Sequence, residues 1–226
     1  MNKILTLLAI LFVFVSCQNE KNTTTKYDKN IKINYYLRSD KSDFVTAEVY
    51  VKHEKDTIPP NIESVTLEGN TMLQSEYQDK TFLRFRLDQE IAAKHYEFVL
   101  NHANQKPVKV KLTPRPIYEY TVKEGVISKS KGFTLSWKGD PVTASNETMI
   151  LLITDVNGQS MSLNRIGETG ESGMFIDPVQ VNYFAPGKAT FYIIRKNLIK
   201  FPEEGYIKQE AEIEFYSEEM TIDIVE

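Results

Sequence analysis

Along most of this chain apolar and polar side chains alternate with a period of two, and that pattern commits it to strands. Val45, Ala47, Val49 and Val51 alternate with Thr46, Glu48, Tyr50 and Lys52. Leu83, Phe85 and Leu87 alternate with Arg84 and Arg86, and Val108, Val110 and Leu112 with Lys109 and Lys111. Tyr96, Phe98 and Leu100 form another such row. A strand points successive side chains to opposite faces, so each row predicts a strand with one buried and one wet face, the habit of antiparallel sheets. Two runs, 149–153 and 189–194, are apolar on both faces and read as central strands. No long segment repeats apolar residues at the helical period. The nearest, 88–96, is long enough for only one or two turns.

The first set of rows ends at Thr113, and Pro114-Arg115-Pro116 follows. Two prolines one residue apart make a stiff, extended segment that cannot sit inside a central strand. A β-sandwich takes about 100 residues, so the expected division is one domain over 31–113 and a second over 114–226. Ala92-Ala93-Lys94-His95 leads into Tyr96-Glu97-Phe98. This resembles the corner before strand F of an immunoglobulin sandwich, where a tyrosine ring enters the core and its hydroxyl bonds to the upstream backbone. Pro186-Gly187-Lys188-Ala189 leads into Phe191 in the same way but without the hydroxyl. The expected fold class is all-β, as two tandem immunoglobulin-like antiparallel β-sandwich domains. Trp137, the one tryptophan, is expected to fill the core of the second.

The first seventeen residues, MNKILTLLAILFVFVSC, follow a different logic. Lys3 is the only charge, and the apolar run after it spans about twelve residues, the length of a signal-peptide core. That is well short of the roughly twenty needed to cross a bilayer. The run ends in Val15-Ser16-Cys17. This resembles the bacterial lipobox, which implies cleavage of residues 1–16 and acylation of Cys17. Cys17 is the only cysteine, so no disulfide explains it. Two or three acyl chains would anchor the protein stably in a bilayer. Residues 17–30 then form a polar, lipidated tether with too little apolar surface to fold. The style of signal and tether resembles lipoproteins of Bacteroidota, which implies a lipid-anchored outer-membrane protein. Only Glu20 is acidic just after the cysteine, so a periplasmic and a surface-exposed face both fit.

Charge and motif exclude several functions. The chain carries 27 basic and 31 acidic side chains, a net of −4, and lacks the basic footprint of a nucleic-acid binder. Glu210, Glu212 and Glu214 alternate with Ala211, Ile213 and Phe215, the pattern of a solvated strand face. Asp155-Val156-Asn157-Gly158 reads as a hairpin turn of type I′, with both central residues at positive φ. No carboxylate follows at the spacing of a calcium loop. The glycine-rich stretch 167–173 has no lysine for phosphate and reads as a loop, the best place for a binding loop in the second domain. His53, His95 and His102 form no zinc pattern, and no Gly-x-Ser-x-Gly elbow is present. Asp56-Thr57-Ile58 resembles the short sites that Bacteroidota O-glycosylate, and equally suits a polar turn.

The expectation is therefore a non-catalytic, membrane-anchored envelope lipoprotein with no metal and no cofactor. It would bind another envelope protein, or alternatively a glycan beside an outer-membrane uptake system. Tyr35, Tyr36, Tyr118 and Tyr120 are the candidate aromatics for a sugar ring. Besides the bilayer at Cys17, no other partner is implied.

Overall fold

A computed structural model describes residues 30–54, 60–75, 82–103, 105–142, 145–166, 172–205 and 207–226. The signal, Cys17, most of the tether and the Asp56-Thr57-Ile58 site lie outside the described residues, as does most of the glycine-rich loop. The chain is all-β and sandwich-like. No described helix is long and apolar enough to cross a membrane.

The first half contributes β1 (Ile31–Asp40), β2 (Phe44–His53), β3 (Ile62–Leu67), β4 (Asn70–Thr71), β5 (Leu73–Ser75), β6 (Phe82–Glu90), β7 (Tyr96–His102) and β8 (Val108–Leu112). After residues 114–116 come β9 (Glu119–Val122), β10 (Ile127–Ser128), β11 (Phe133–Lys138), β12 (Glu147–Thr154), β13 (Ser160–Ile166) and β14 (Gly173–Ile176). A single 3-10 turn (Pro178–Gln180) leads to β15 (Gly187–Lys200), β16 (Ile207–Tyr216) and β17 (Met220–Val225). The alternation behaves as the sequence predicts. In β1, Ile31, Ile33, Tyr35, Leu37 and Ser39 are buried, while Lys32, Asn34, Tyr36 and Arg38 face outward. The two doubly apolar runs become β12 and the first half of β15, both interior strands.

One ten-stranded sheet spans both halves, in the order β10-β17-β15-β16-β1-β2-β6-β5, with β12 and β13 branching from β15. β15 makes this possible by its length. One side pairs with β12; on the other, residues 187–191 pair with β17 and 194–200 with β16. The far side of β16 then pairs in parallel with all of β1, from Ile31↔Ile207 to Asp40↔Tyr216. Two smaller sheets, β4-β3-β7-β8 and β14-β11-β9, complete the structure.

Two cores result. The first runs from Ile31 to Leu112 and takes in Ala211 and Ile213 from β16, with Ile199, Phe201 and Ile207 packed against it. The second runs from Ile117 to Ile224 and includes Trp137 and Phe215. Residues 114–116 thus fall between the cores in sequence, yet the outer end of the β15–β16 hairpin reaches back over the first core. Ile213 and Phe215, two residues apart on one strand face, belong to different cores.

Two local expectations are resolved. Tyr96 is 3% exposed and its hydroxyl donates to the Ile91 carbonyl at 3.1 Å. β6 continues to Glu90 on its ladder with β2, so residues 91–95 form the connection before Tyr96. The β12–β13 turn departs from the type I′ expectation. Gly158 has φ of 78°, but Asn157 is not among the residues at positive φ. The Gly158 N–H bonds to the Asp155 carbonyl and the Asp155 N–H to the Gln159 carbonyl. Only the glycine carries the left-handed conformation, as in a three-residue loop closed by a bulge. Asp155 is the reason. Its Oδ1 accepts from the N–H groups of Asn157 and Gln159, and its Oδ2 from that of Ala185. These bonds, that from Ala185 foremost, outweigh burial and hold its carboxyl below the usual range.

Candidate functional site

A cavity of about 320 Å³ opens where the two cores meet. β1 supplies Ser39 and Asp40 at its C-terminal end, and the turn after it supplies Lys41 and Asp43. Ala93 and Lys94 come from the tyrosine corner, with Tyr96 beside them. The linker adds Thr113, Pro114, Arg115 and Pro116, and the second body adds Tyr118, Asp140 and Phe215. The linker prolines, read from sequence as a boundary, are therefore one wall of a cleft.

Behind this wall lies a buried charge network. Glu147 is 0% and Arg195 2% exposed. Arg195 Nη2 meets both carboxylate oxygens of Glu147, at 3.0 and 3.2 Å, and Arg115 Nη1 meets one at 2.6 Å. Arg195 also donates to the carbonyls of Asp140 and Pro141, at 2.7 and 3.0 Å. Burial lowers the Arg195 pKa from its ordinary value, against the opposing charge of Glu147. Arg115 adds a 3.3 Å ion pair to Asp140 on the cleft rim. The 139–142 loop is thus fixed to the sheet by two guanidinium groups. Trp137 Nε1 donates to the same Asp140 carbonyl at 3.3 Å, so the only tryptophan touches the cleft's supporting loop.

The four candidate tyrosines do not form one platform. Tyr35 is 2% exposed, edge-on to Phe98 at 5.3 Å, with its hydroxyl donating to Gln209. Burial raises its pKa and closes it to ligands. Tyr36 is half-buried on the opposite face of β1, its hydroxyl donating to Glu214 at 2.8 Å. Tyr120 packs edge-on to Phe191, with its hydroxyl on the Phe191 and Glu218 carbonyls. Burial pushes it to about 12. Tyr118 alone stays open, 59% exposed, with its ring 6.2 Å from that of Phe215 at the cleft.

The wet face of β16 is neutralised by its neighbours. Glu210 pairs with Lys32 and Glu212 with Lys196, while Glu214 accepts from Tyr36 and Tyr216. Arg38 lies 3.8 Å above the Tyr216 ring. On the same open face, Glu48 binds Arg84 at 2.6 Å and Arg86 at 2.9 Å, and accepts from the Tyr50 hydroxyl. Burial raises the Glu48 pKa, but these bonds and charges outweigh it and hold the carboxyl below its usual range. Among the described residues no group of three or more His, Cys, Asp or Glu is placed to hold a metal.

Sequence reading missed the Glu147 network, although a signal was present. Glu147 is in phase with Met149, Leu151 and Ile153, so its side chain had to point into the core. Arg195 is likewise in phase with Phe191 and Ile193. Two opposite charges on buried phases of adjacent strands are a pairing signature.

The sheet edges differ in their protection. β8 presents exposed Lys109 and Lys111, and β5 has only three residues. β13 has seven residues, among the described residues pairs with β12 alone, and has Arg165 as the one charge in its sequence. Fold and site together define an all-β, sandwich-like protein with a cleft between two cores and, among the described residues, one long edge strand without a second neighbour. No family model matches the chain, and no curated protein does.

Proposed function

We propose that this protein is a non-catalytic lipoprotein of the bacterial outer membrane, anchored through Cys17, that binds another envelope protein by strand addition. In this reading the body is two immunoglobulin-like sandwiches that share one sheet. The observation that carries it is the open edge of β13. Edge strands invite pairing with other chains, and proteins blunt them with short length, lysine or proline. β5 and β8 are blunted in these ways, and β13 is not. An extended partner segment adding to β13 would gain main-chain hydrogen bonds along seven residues, with Ser162 and Asn164 exposed for side-chain contacts.

The test is photo-crosslinking in intact cells from Ser160, Ser162 and Asn164, with Lys109 on β8 as control. Strand addition requires the crosslinked positions on one partner protein to step by two residues in a fixed direction. Scattered crosslinks, or the same products from Lys109, would contradict the reading.

Glycan binding is a second reading, and one observation favours it. Tyr118 holds an exposed ring at the mouth of the cleft between the two cores, as aromatic residues do where one side must stay apolar and the other wet.

A further inference from the structure

We infer that the cleft between the two cores binds a single uncharged sugar ring, an inference that rests on the glycan reading and gives it a place and a size. The first support is volume. About 320 Å³ lies at the lower end of the range for small-molecule pockets, about 300–1,000 Å³. It suits one sugar unit and not an extended chain.

The second support is a buried hydroxyl. Ser39 is 3% exposed and lines the cleft, and its Oγ has no hydrogen-bond partner among the described residues. It sits in phase with Tyr35 and Leu37 on the buried face of β1, where Val would pack equally well. A buried hydroxyl without a partner is costly, and Ser39 Oγ, closed to solvent in this structure, is an unmet polar group in the wall of the cleft. A hydroxyl both donates and accepts, which is what another hydroxyl requires.

The third support is charge. The lining holds Asp40, Asp43 and Asp140 against Lys41, Lys94 and Arg115, a balanced set. Lys41 pairs with Glu218, and Arg115 with Asp140 and Glu147. Asp40, Asp43 and Lys94 make no ion pair among the described residues. Asp40 gives Oδ1 to the Ser42 N–H and hydroxyl. A net-neutral rim favours neither a cation nor an anion. Carboxylates that accept and an ammonium that donates can each engage the hydroxyls around a sugar ring. The apolar faces of Tyr118, Phe215 and the linker prolines match its C–H face.

The test uses the full chain and a panel of glucose, galactose, mannose and N-acetylglucosamine, with glycine and lysine as charged competitors. Calorimetry reports binding anywhere on the protein. Emission from Trp137 reports the cleft, through its bond to the Asp140 carbonyl. The expected result is saturation by at least one sugar, with a Kd on the order of 1 mM and a parallel change in Trp137 emission. Tyr118→Ala, on the exposed rim, and Ser39→Val, which keeps the strand, should each weaken it about tenfold. Lys109→Ser on the exposed face of β8 should not. Sugar binding that ignores both cleft variants would leave the glycan reading standing and overturn this placement. Binding of glycine or lysine in place of sugars would overturn the ligand class. Absence of any sugar binding would overturn both.

Discussion

At the residue scale, the same demand shapes Tyr96, Asp155 and Glu147: a polar group taken from water must find its partner inside the fold. The Tyr96 hydroxyl donates to the Ile91 carbonyl. Tyr96→Phe should therefore cost about 1 kcal/mol, and Tyr96→Ala about 3–5 kcal/mol through the cavity it leaves. Val99→Ala should cost less than the latter, because Val99 is only half-buried on the other face. Urea melts of the three variants check the order. Asp155 makes a pH-dependent contribution. Its folded carboxyl titrates below the unfolded value of about 3.9, so the stabilisation is complete above that value. It is lost as pH falls through the folded pKa, because protonation removes the acceptor. The urea midpoint of the wild type should exceed that of Asp155→Asn at neutral pH, and the gap should shrink below about pH 4. Glu147→Gln leaves Arg195 buried without its counter-charge and should cost about 3–5 kcal/mol, whereas replacing both partners with methionine should cost much less. Of these three sites, only Tyr96 was legible in advance, since its partner lies five residues upstream. Asp155 was read as a turn letter, because its third donor, Ala185, is thirty residues away. Glu147 needed the phase of its strand compared with that of β15, a comparison no local pattern makes.

At the scale of elements, the alternation of side chains shows where strands are but carries nothing about what they pair with. That is why β1 and β12 were readable from their own residues, while the parallel ladder between β1 and β16 was not. A parallel pair has no hairpin turn to mark it, and these partners are about 175 residues apart in sequence. Their consequence is physical. Residues 31–113 alone lack Ala211 and Ile213, expose one side of β1 along ten residues, and leave Ile199 and Phe201 behind. This fragment should not fold cooperatively, and its far-ultraviolet and fluorescence melts should be broad. Supplying residues 197–216 in a permuted chain, joined ahead of Ile31, should restore a sharp transition. A protease site inserted at residues 114–116 should cut the full chain into two pieces that still co-elute on size exclusion, since the β1–β16 ladder and the shared cores hold them together. Sharp melting of the isolated 31–113 fragment would show that the C-terminal hairpin contributes little to the first core.

At the scale of the whole molecule, the shared sheet fixes how the proposed anchor, cleft and edge relate. β1 begins beside His53 and Ile207 and ends at Asp40 by the cleft, so the tether enters at the end of the first body remote from the second. The fourteen residues 17–30 span at most about 50 Å when fully extended, so lipid at Cys17 would keep the first body near the bilayer. The open edge of β13 belongs to the second body, the one farther from the tether. A strand-adding partner would thus be met away from the membrane surface. All of this depends on lipid at Cys17, the lone cysteine in its lipobox-like setting. Radiolabelled palmitate should enter the wild type and not Cys17→Ser, and the variant should leave the membrane fraction while keeping its thermal melting midpoint, because both cores are built from residues 31–224. Equal labelling of the two proteins would remove the anchor. Label lost without release from the membrane would mean that another surface of the body holds the bilayer.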